Sequence, residues 1–165
     1  MYRKPILWAE EFQITADSIR LQFKNAQPYQ CHAVGHGFTV GKKSDLRFDQ
    51  IKGRSITGYF NEEGALHEIL VQGNGETIYF GKDESEDLVG MDRTECSSMR
   101  IGVDNRELSH ITFYNQPKGI FIPMREVNST NEHLKDFEWR ITQRPRSKQD
   151  LTAEFWETPA AIPNP

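Results

Sequence analysis

Apolar and polar residues alternate in short runs along almost the whole chain, and this two-residue period predicts half-buried β-strands rather than helices. Ile19-Arg20-Leu21-Gln22-Phe23, Met99-Arg100-Ile101-Gly102-Val103 and Ile111-Thr112-Phe113 are the clearest runs. Between the runs lie polar clusters at 24–28, 61–64, 82–87, 104–105 and 115–119, carrying Asn, Asp, Gly and Pro. These residue types accept a positive φ or fix φ near a turn value, so each cluster predicts a reversal of the chain. Strands joined by such short polar turns pair antiparallel as hairpins. The expected fold class is all-β.

The runs also resemble one another. Ile14 to Phe23 lines up without a gap with Ile51 to Phe60, and more loosely with Thr94 to Val103. Ile14 and Ala16 share one parity, whereas Ile19, Leu21 and Phe23 share the other. A strict two-residue period cannot hold both sets on one face, so the strand has to bulge or turn a corner at Asp17-Ser18. The matching positions Ala16, Gly53 and Cys96 are small, as a corner with close backbone approach favours. A second echo joins Val34-Gly35-His36-Gly37 to Val71-Gln72-Gly73-Asn74-Gly75. Together these patterns predict a repeat-built stack of bent antiparallel hairpins, with two facing sheets around one shared apolar interior. The ends of such a stack leave open strand edges, which are templates for a further chain.

The predicted stack covers residues 1–127. A C-terminal segment, 128–150, is expected to pack on or cap it. Within that segment, Asn128-Ser129-Thr130-Asn131 ahead of Glu132 predicts a short helix over 132–136. Phe137 and Trp139 alternate with Glu138 and Arg140, which predicts a final strand or an extended segment laid across the stack. Residues 151–165, with Pro159, Pro163 and Pro165, predict an extended or disordered tail, from which Phe155 and Trp156 could dock.

Composition narrows the function more than it identifies it. The formal net charge is -4, with no Lys/Arg run longer than two, so the basic stripe of a nucleic-acid binder is missing. A mean hydropathy of -0.68 is polar for a compact globule and predicts an elongated body with a narrow apolar seam. No stretch approaches the roughly 20 apolar residues that span a bilayer as a helix. The first ten residues have no apolar core of the signal-peptide kind. Cys31 and Cys96 are far apart and outside any C-x-x-C spacing, which predicts two free thiols.

Chemistry-bearing motifs are sparse. His32, His36, His67, His110 and His133 have no metal-ligand spacing. Gly35-x-Gly37 and Gly73-x-Gly75 lack the third glycine and following helix of a dinucleotide fingerprint, and are better read as glycines at a β-corner. Glu10-Glu11, Glu62-Glu63 and Glu86-Asp87 sit in expected turns or at a strand start, where charge is solvated. No G-x-S-x-G elbow occurs. The sequence therefore predicts neither an enzyme nor a bound cofactor or metal.

The pattern Ile14-x-Ala16-Asp17-Ser18-Ile19, a turn, then Ala33-Val34-Gly35-His36-Gly37 resembles the OstA-like repeats of lipopolysaccharide-transport proteins. The stretch from Trp8 to about Pro145, including Leu134 to Arg140 and Arg144-Pro145, is similar to large OstA-like proteins of Bacteroides-type bacteria. That resemblance implies a β-jellyroll open along one side, with an apolar trough for lipid A acyl chains. The trough would be lined by Ile19, Leu21, Phe23, Ile56, Phe60, Ile69, Val71, Met99, Ile101, Val103, Ile111 and Phe113, which alternation alone reads as core. Arg3, Lys4, Lys42, Lys43, Arg140, Arg144 and Arg146 are the basic groups available to lipid phosphates at its rim.

The resemblance further implies a periplasmic location, with this chain a fragment lacking its signal peptide. Its implied partners are lipopolysaccharide or another lipid, other OstA-like or Lpt proteins met through strand edges, and further copies of itself head to tail. Two rivals stay open: a closed β-scaffold working only through its edges, and a carbohydrate-binding β-sandwich presenting Tyr79, Trp139 or Trp156 on a flat face.

Overall fold

Asn25 and Ala26 sit at φ 52° and 62°, the paired left-handed geometry of a two-residue type I′ turn whose twist matches the strands it joins. The longer reversals are held by side chains. Asn61 Oδ1 accepts from the amides of Glu63 and Ala65 at 3.1 and 2.8 Å. Asp83 Oδ1 accepts from those of Ser85 and Asp87 at 2.8 and 3.1 Å. The computed structural model describes residues 5–9, 12–104 and 107–147. In them these turns fold the alternating runs into one open antiparallel sheet of nine strands.

The strands are β1 (Ile6–Ala9), β2 (Phe12–Thr15), β3 (Ser18–Lys24), β4 (Gln27–Lys42), β5 (Phe48–Phe60), β6 (Leu66–Lys82), β7 (Leu88–Asp104), β8 (Glu107–Tyr114) and β9 (Lys118–Pro123). The order is β1-β2-β4-β5-β6-β7-β8, with β3 also on β4 and β9 also on β7. β2 and β3 pair successive stretches of β4, and β8 and β9 pair successive stretches of β7.

A row of irregularities divides the four long strands into two arms. Val34 to Gly37 takes three steps along β4 where the partners Ser55 to Gly53 take two on β5. Gln72 to Gly75 takes three steps along β6 where Ser98 to Cys96 take two on β7. Each of β4 and β6 thus carries one extra residue, a bulge that bends the strand. The backbone at both is the same: Gly35 and His36 at φ 75° and 51°, Gly73 and Asn74 at 78° and 52°. Glycine is required at the first position because a side chain there would be strained, and a Cβ on Gly35 would collide with the Asp17 carboxylate. On the neighbouring strand the chain breaks instead, between Thr15 and Ser18, where the Asp17 amide donates to Gly35 O at 2.7 Å.

The register carries Ile14, Ile51 and Thr94 in one cross-strand row, and Ile19, Ile56 and Met99 in another. Two apolar clusters form on opposite faces. The inner cluster fills the angle between the arms with Ala16, Ala33, Ile51, Ile56, Ile69, Val71, Met99 and Ile101. The outer cluster, Phe38, Val40, Ile78, Phe80, Met91 and Leu134, lies on the outside of the arm formed by β1, β2, β9 and the strand halves between them. Burial of each large side chain in these clusters contributes about 1.5–3 kcal/mol.

The C-terminal segment covers the outer cluster. No α-helix occurs among the described residues, which corrects the helix expected over 132–136: this stretch is turns and irregular backbone. The capping side chains are spent locally. Asn128 Oδ1 accepts from the Thr130 amide at 3.0 Å, and Asn131 Oδ1 from the Asn128 amide at 2.8 Å, closing short turns that compete with a helix. Asp136, at φ 73°, lies outside the right-handed helical region. Two short 3-10 turns, Met124–Glu126 and Ile141–Gln143, flank the segment. The expected tail at 151–165 lies outside the described residues.

Candidate functional site

The apolar residues proposed as a trough share one face of β3–β8. Ile19, Ile56, Val71, Met99 and Phe113 occupy one cross-strand row. Leu21, Ile69, Ile101 and Ile111 occupy the next, with Cys31 and Gly58 between them. Phe23, Phe60 and Val103 follow two residues further along their own strands. Ile56, Ile69, Val71, Met99 and Ile101 are buried in the inner cluster, and Ile19, Val103, Ile111 and Phe113 pack against it. Leu21, Phe23 and Phe60 are not part of that packing. Leu21 is 38% exposed and Phe23 62%. The face is therefore closed through its middle and reaches solvent at the β3 edge.

The second arm holds groups that alternation did not single out. Gln13 on β2 and Gln50 on β5 are 1% and 0% exposed, and each side-chain amide pairs with the backbone of the crossing segment. Gln50 Nε2 donates to Glu132 O at 2.8 Å, and Gln50 Oε1 accepts from the Leu134 amide at 2.8 Å. Gln13 Nε2 donates to Glu138 O at 2.8 Å, and Gln13 Oε1 accepts from the Arg140 amide at 2.7 Å. In both cases a glutamine binds the carbonyl of one residue and the amide of the residue two further on. It thereby stands in for the edge of a neighbouring strand. Trp139 meets Trp8 edge-on at 5.3 Å and Phe48 at 5.3 Å, while Phe137 packs on Phe48 at 5.5 Å. Residues 131–140 form a strap running from β7, where Arg93 Nη1 donates to Asn131 O at 3.5 Å, across β5 to β2 and β1.

Four members of the expected basic rim, Lys42, Lys43, Arg140 and Arg144, do not line the apolar face. Lys42 pairs with Asp45 at 3.0 Å, and Lys43 Nζ lies 5.0 Å above the Tyr79 ring at the far end of β4. Arg140 pairs with Glu138 on the strap, and Arg144 lies 5.8 Å over the Trp8 ring. Arg3 and Lys4 lie outside the described residues. His36 Nδ1 pairs with Asp17 Oδ2 at 2.8 Å across the bend, and His133 stacks on Phe137 at 4.1 Å. Cys31 and Cys96 are free, and burial pushes both thiols above their ordinary value. Among the described residues no group of three or more His, Cys, Asp or Glu could hold a metal ion, and no helix is long and apolar enough to cross a membrane.

Among the described residues, Asp49 on β5 is the carboxyl pushed strongly upward, to about 6, because burial penalises its charge. The Phe80 amide, donating to Asp49 Oδ1 at 2.8 Å, and the ammonium groups of Lys43 and Lys82 oppose that shift. The folded carboxyl binds its proton more tightly than the unfolded one, whose value is 3.8. Stability from this group is therefore full at low pH and falls as pH rises from about 4 to about 6, by roughly 2–3 kcal/mol. Asp49→Asn keeps an acceptor for the Phe80 amide and removes the buried charge. Urea unfolding at pH 4.5 and pH 7 is expected to show the variant gaining at pH 7 and losing most of the native chain's difference between the two. A variant no more stable than the native chain at pH 7 rejects this account.

Compared with family models, curated proteins and solved structures, the chain gives no match.

Proposed function

We propose that the protein is a lipid-binding module of the OstA-like kind, which handles lipopolysaccharide or a similar acylated lipid during assembly of the outer membrane, in the periplasm. In this reading the bent sheet is an open, repeat-built β-jellyroll, and the rows shared by 14–23, 51–60 and 94–103 are what remains of its repeats. No catalytic step is assigned. The observation that carries the reading is the β3 end of the inner face. There, Ile19, Leu21 and Phe23 extend the buried apolar rows into solvent, and Leu21 and Phe23 are the most exposed members of that face.

An acyl chain laid against this end removes its own methylenes and these side chains from water, at about 0.8 kcal/mol per buried CH₂. The middle of the face, where Val71, Met99 and Ile101 are fully buried, is core. The binding surface is accordingly the β3 margin rather than the whole set of twelve residues.

Native mass spectrometry of the chain incubated with lipid A, beside a water-soluble glycan, tests this. A stoichiometric lipid adduct, absent with the glycan and lost in Phe23→Asp, is the expected result. The outer edge of β3 also leaves backbone groups without a neighbouring strand in the sheet, which favours the edge-assembling scaffold as second reading. Ladders of oligomers without lipid adducts would replace the first reading with that one.

A further inference from the structure

A groove of about 400 Å³ lies on the outer face, where the strap passes the bend of the sheet. One wall is the sheet itself: Thr15, Phe38 and Lys52, with His36 from the β4 bulge. The other wall is the strap, through Asp136, Glu138 and Arg140. The strap's alternation sets this up. Phe137 and Trp139 turn into the outer cluster, so the even-numbered side chains between and beside them turn to the groove. The backbone carrying them is fixed from beneath by Gln13, which holds the carbonyl of Glu138 and the amide of Arg140. Lys52 fixes the opposite side, with Nζ 3.1 Å from Lys135 O and 3.3 Å from Asp136 Oδ2.

The chemistry of the lining selects a class of ligand. The formal charges of its lining pair off, Lys52 with Asp136 at 3.3 Å and Arg140 with Glu138. Such a site has little net field for a free phosphate or a cation. Phe38, the one aromatic in the lining, is buried, so an apolar ligand finds little surface. What the walls offer is carboxylate acceptors, cationic donors and a Thr hydroxyl, held at fixed positions around a cavity of ligand size. Hydroxyl groups, each of which gives and takes a hydrogen bond, match that mixture. The geometry points to a neutral saccharide, one or two sugar rings, bound between the bend and the strap. This site is on the opposite side of the sheet from Ile19, Leu21 and Phe23, so it stands or falls separately from lipid binding.

The test is an amide ¹H–¹⁵N titration of the full chain with glucose, galactose, N-acetylglucosamine and maltose, beside sodium phosphate and sodium acetate. The expected result is a saturable shift at Thr15, His36 and the 136–140 amides with at least one sugar. A Kd on the order of 1 mM suits an open, polar site, and neither salt should reproduce the shift. Glu138→Ala alters an exposed side chain and leaves the backbone held by Gln13, and is expected to weaken the sugar about tenfold with the remaining spectrum unchanged. His36→Asn, which tolerates the positive φ, is expected to act in the same direction. Absence of saturable shifts with every sugar overturns the proposal. So does a shift confined to other residues, an equal response to phosphate, or unchanged sugar affinity in both variants.

Discussion

Ile101→Asp is expected to abolish folding, and Leu21→Asp to leave the fold intact. Ile101 is fully buried between Ile69 and Ile111 in its row. A carboxylate there loses the transfer free energy of the isoleucine and buries a charge with no cation in that row, a combination worth more than about 4–5 kcal/mol. That is comparable with the whole stability of a domain of this size, about 5–15 kcal/mol. Leu21 occupies the same row on β3 but is more than a third exposed, so the same substitution costs little folding free energy. Far-UV circular dichroism and urea unfolding separate the two outcomes. A cooperatively folded Ile101→Asp chain would show that this face is not the core. If Leu21→Asp folds and takes up lipid A as the native chain does, the β3 margin is not the binding surface.

Gln50→Leu is expected to cost about 2–4 kcal/mol, although leucine is the more hydrophobic residue and of similar size. The substitution removes both hydrogen bonds to the strap and leaves the Leu134 amide and the Glu132 carbonyl without their partner. Stranded buried groups carry the full desolvation penalty, about 1–3 kcal/mol each. The loss is expected to be local as well as global. Hydrogen exchange should accelerate at Leu134 and around it, while amides in the β3–β8 arm keep their protection relative to the lowered global stability. Gln13→Leu should do the same at Arg140. A Gln50→Leu chain as stable as the native one would mean that the outer cluster alone holds the strap.

The two glutamines also mark the limit of what the sequence discloses. Strand pairing was legible because its causes are local: alternation within runs and turn-forming residues between them. The corner near Asp17 was legible because Ile14 and Ile19 have opposite parity, a conflict that only a break in the strand resolves. Gln13 stands between Phe12 and Ile14, and Gln50 between Asp49 and Ile51, and a polar residue beside apolar ones in a strand reads as a solvated face. Their partners lie 125 and 82 residues away, so no local pattern announces them. A faint sign was present in Phe38-Thr39-Val40 and Ile78-Tyr79-Phe80, where one parity is large and apolar and the other is mixed. In the second arm it is the outer parity that carries Phe38, Val40, Ile78 and Phe80, and an outer face of that kind demands a cover. The helix expected over 132–136 failed for the opposite reason. The residues expected to cap it do not cap a helix: Asn128 and Asn131 accept hydrogen bonds within their own turns instead. Gly35 and Gly73 stand at the bends, and the His36 and Asn74 that follow them take the second left-handed position of each bulge.

Because the glutamines grip the strap by its main chain, they are indifferent to which side chains it carries outward. The apolar demand falls on Leu134, Phe137 and Trp139, while positions 136, 138 and 140 face the groove without contributing to that packing. Recognition and folding are thereby written in different letters of the same ten-residue stretch. Successive substitutions at the outward positions can change what the groove prefers while the sheet beneath is undisturbed. A selection library randomised only at 138 and 140, with 136 kept to residues that accept its φ of 73°, should return mostly folded chains, with diversity concentrated in what they bind.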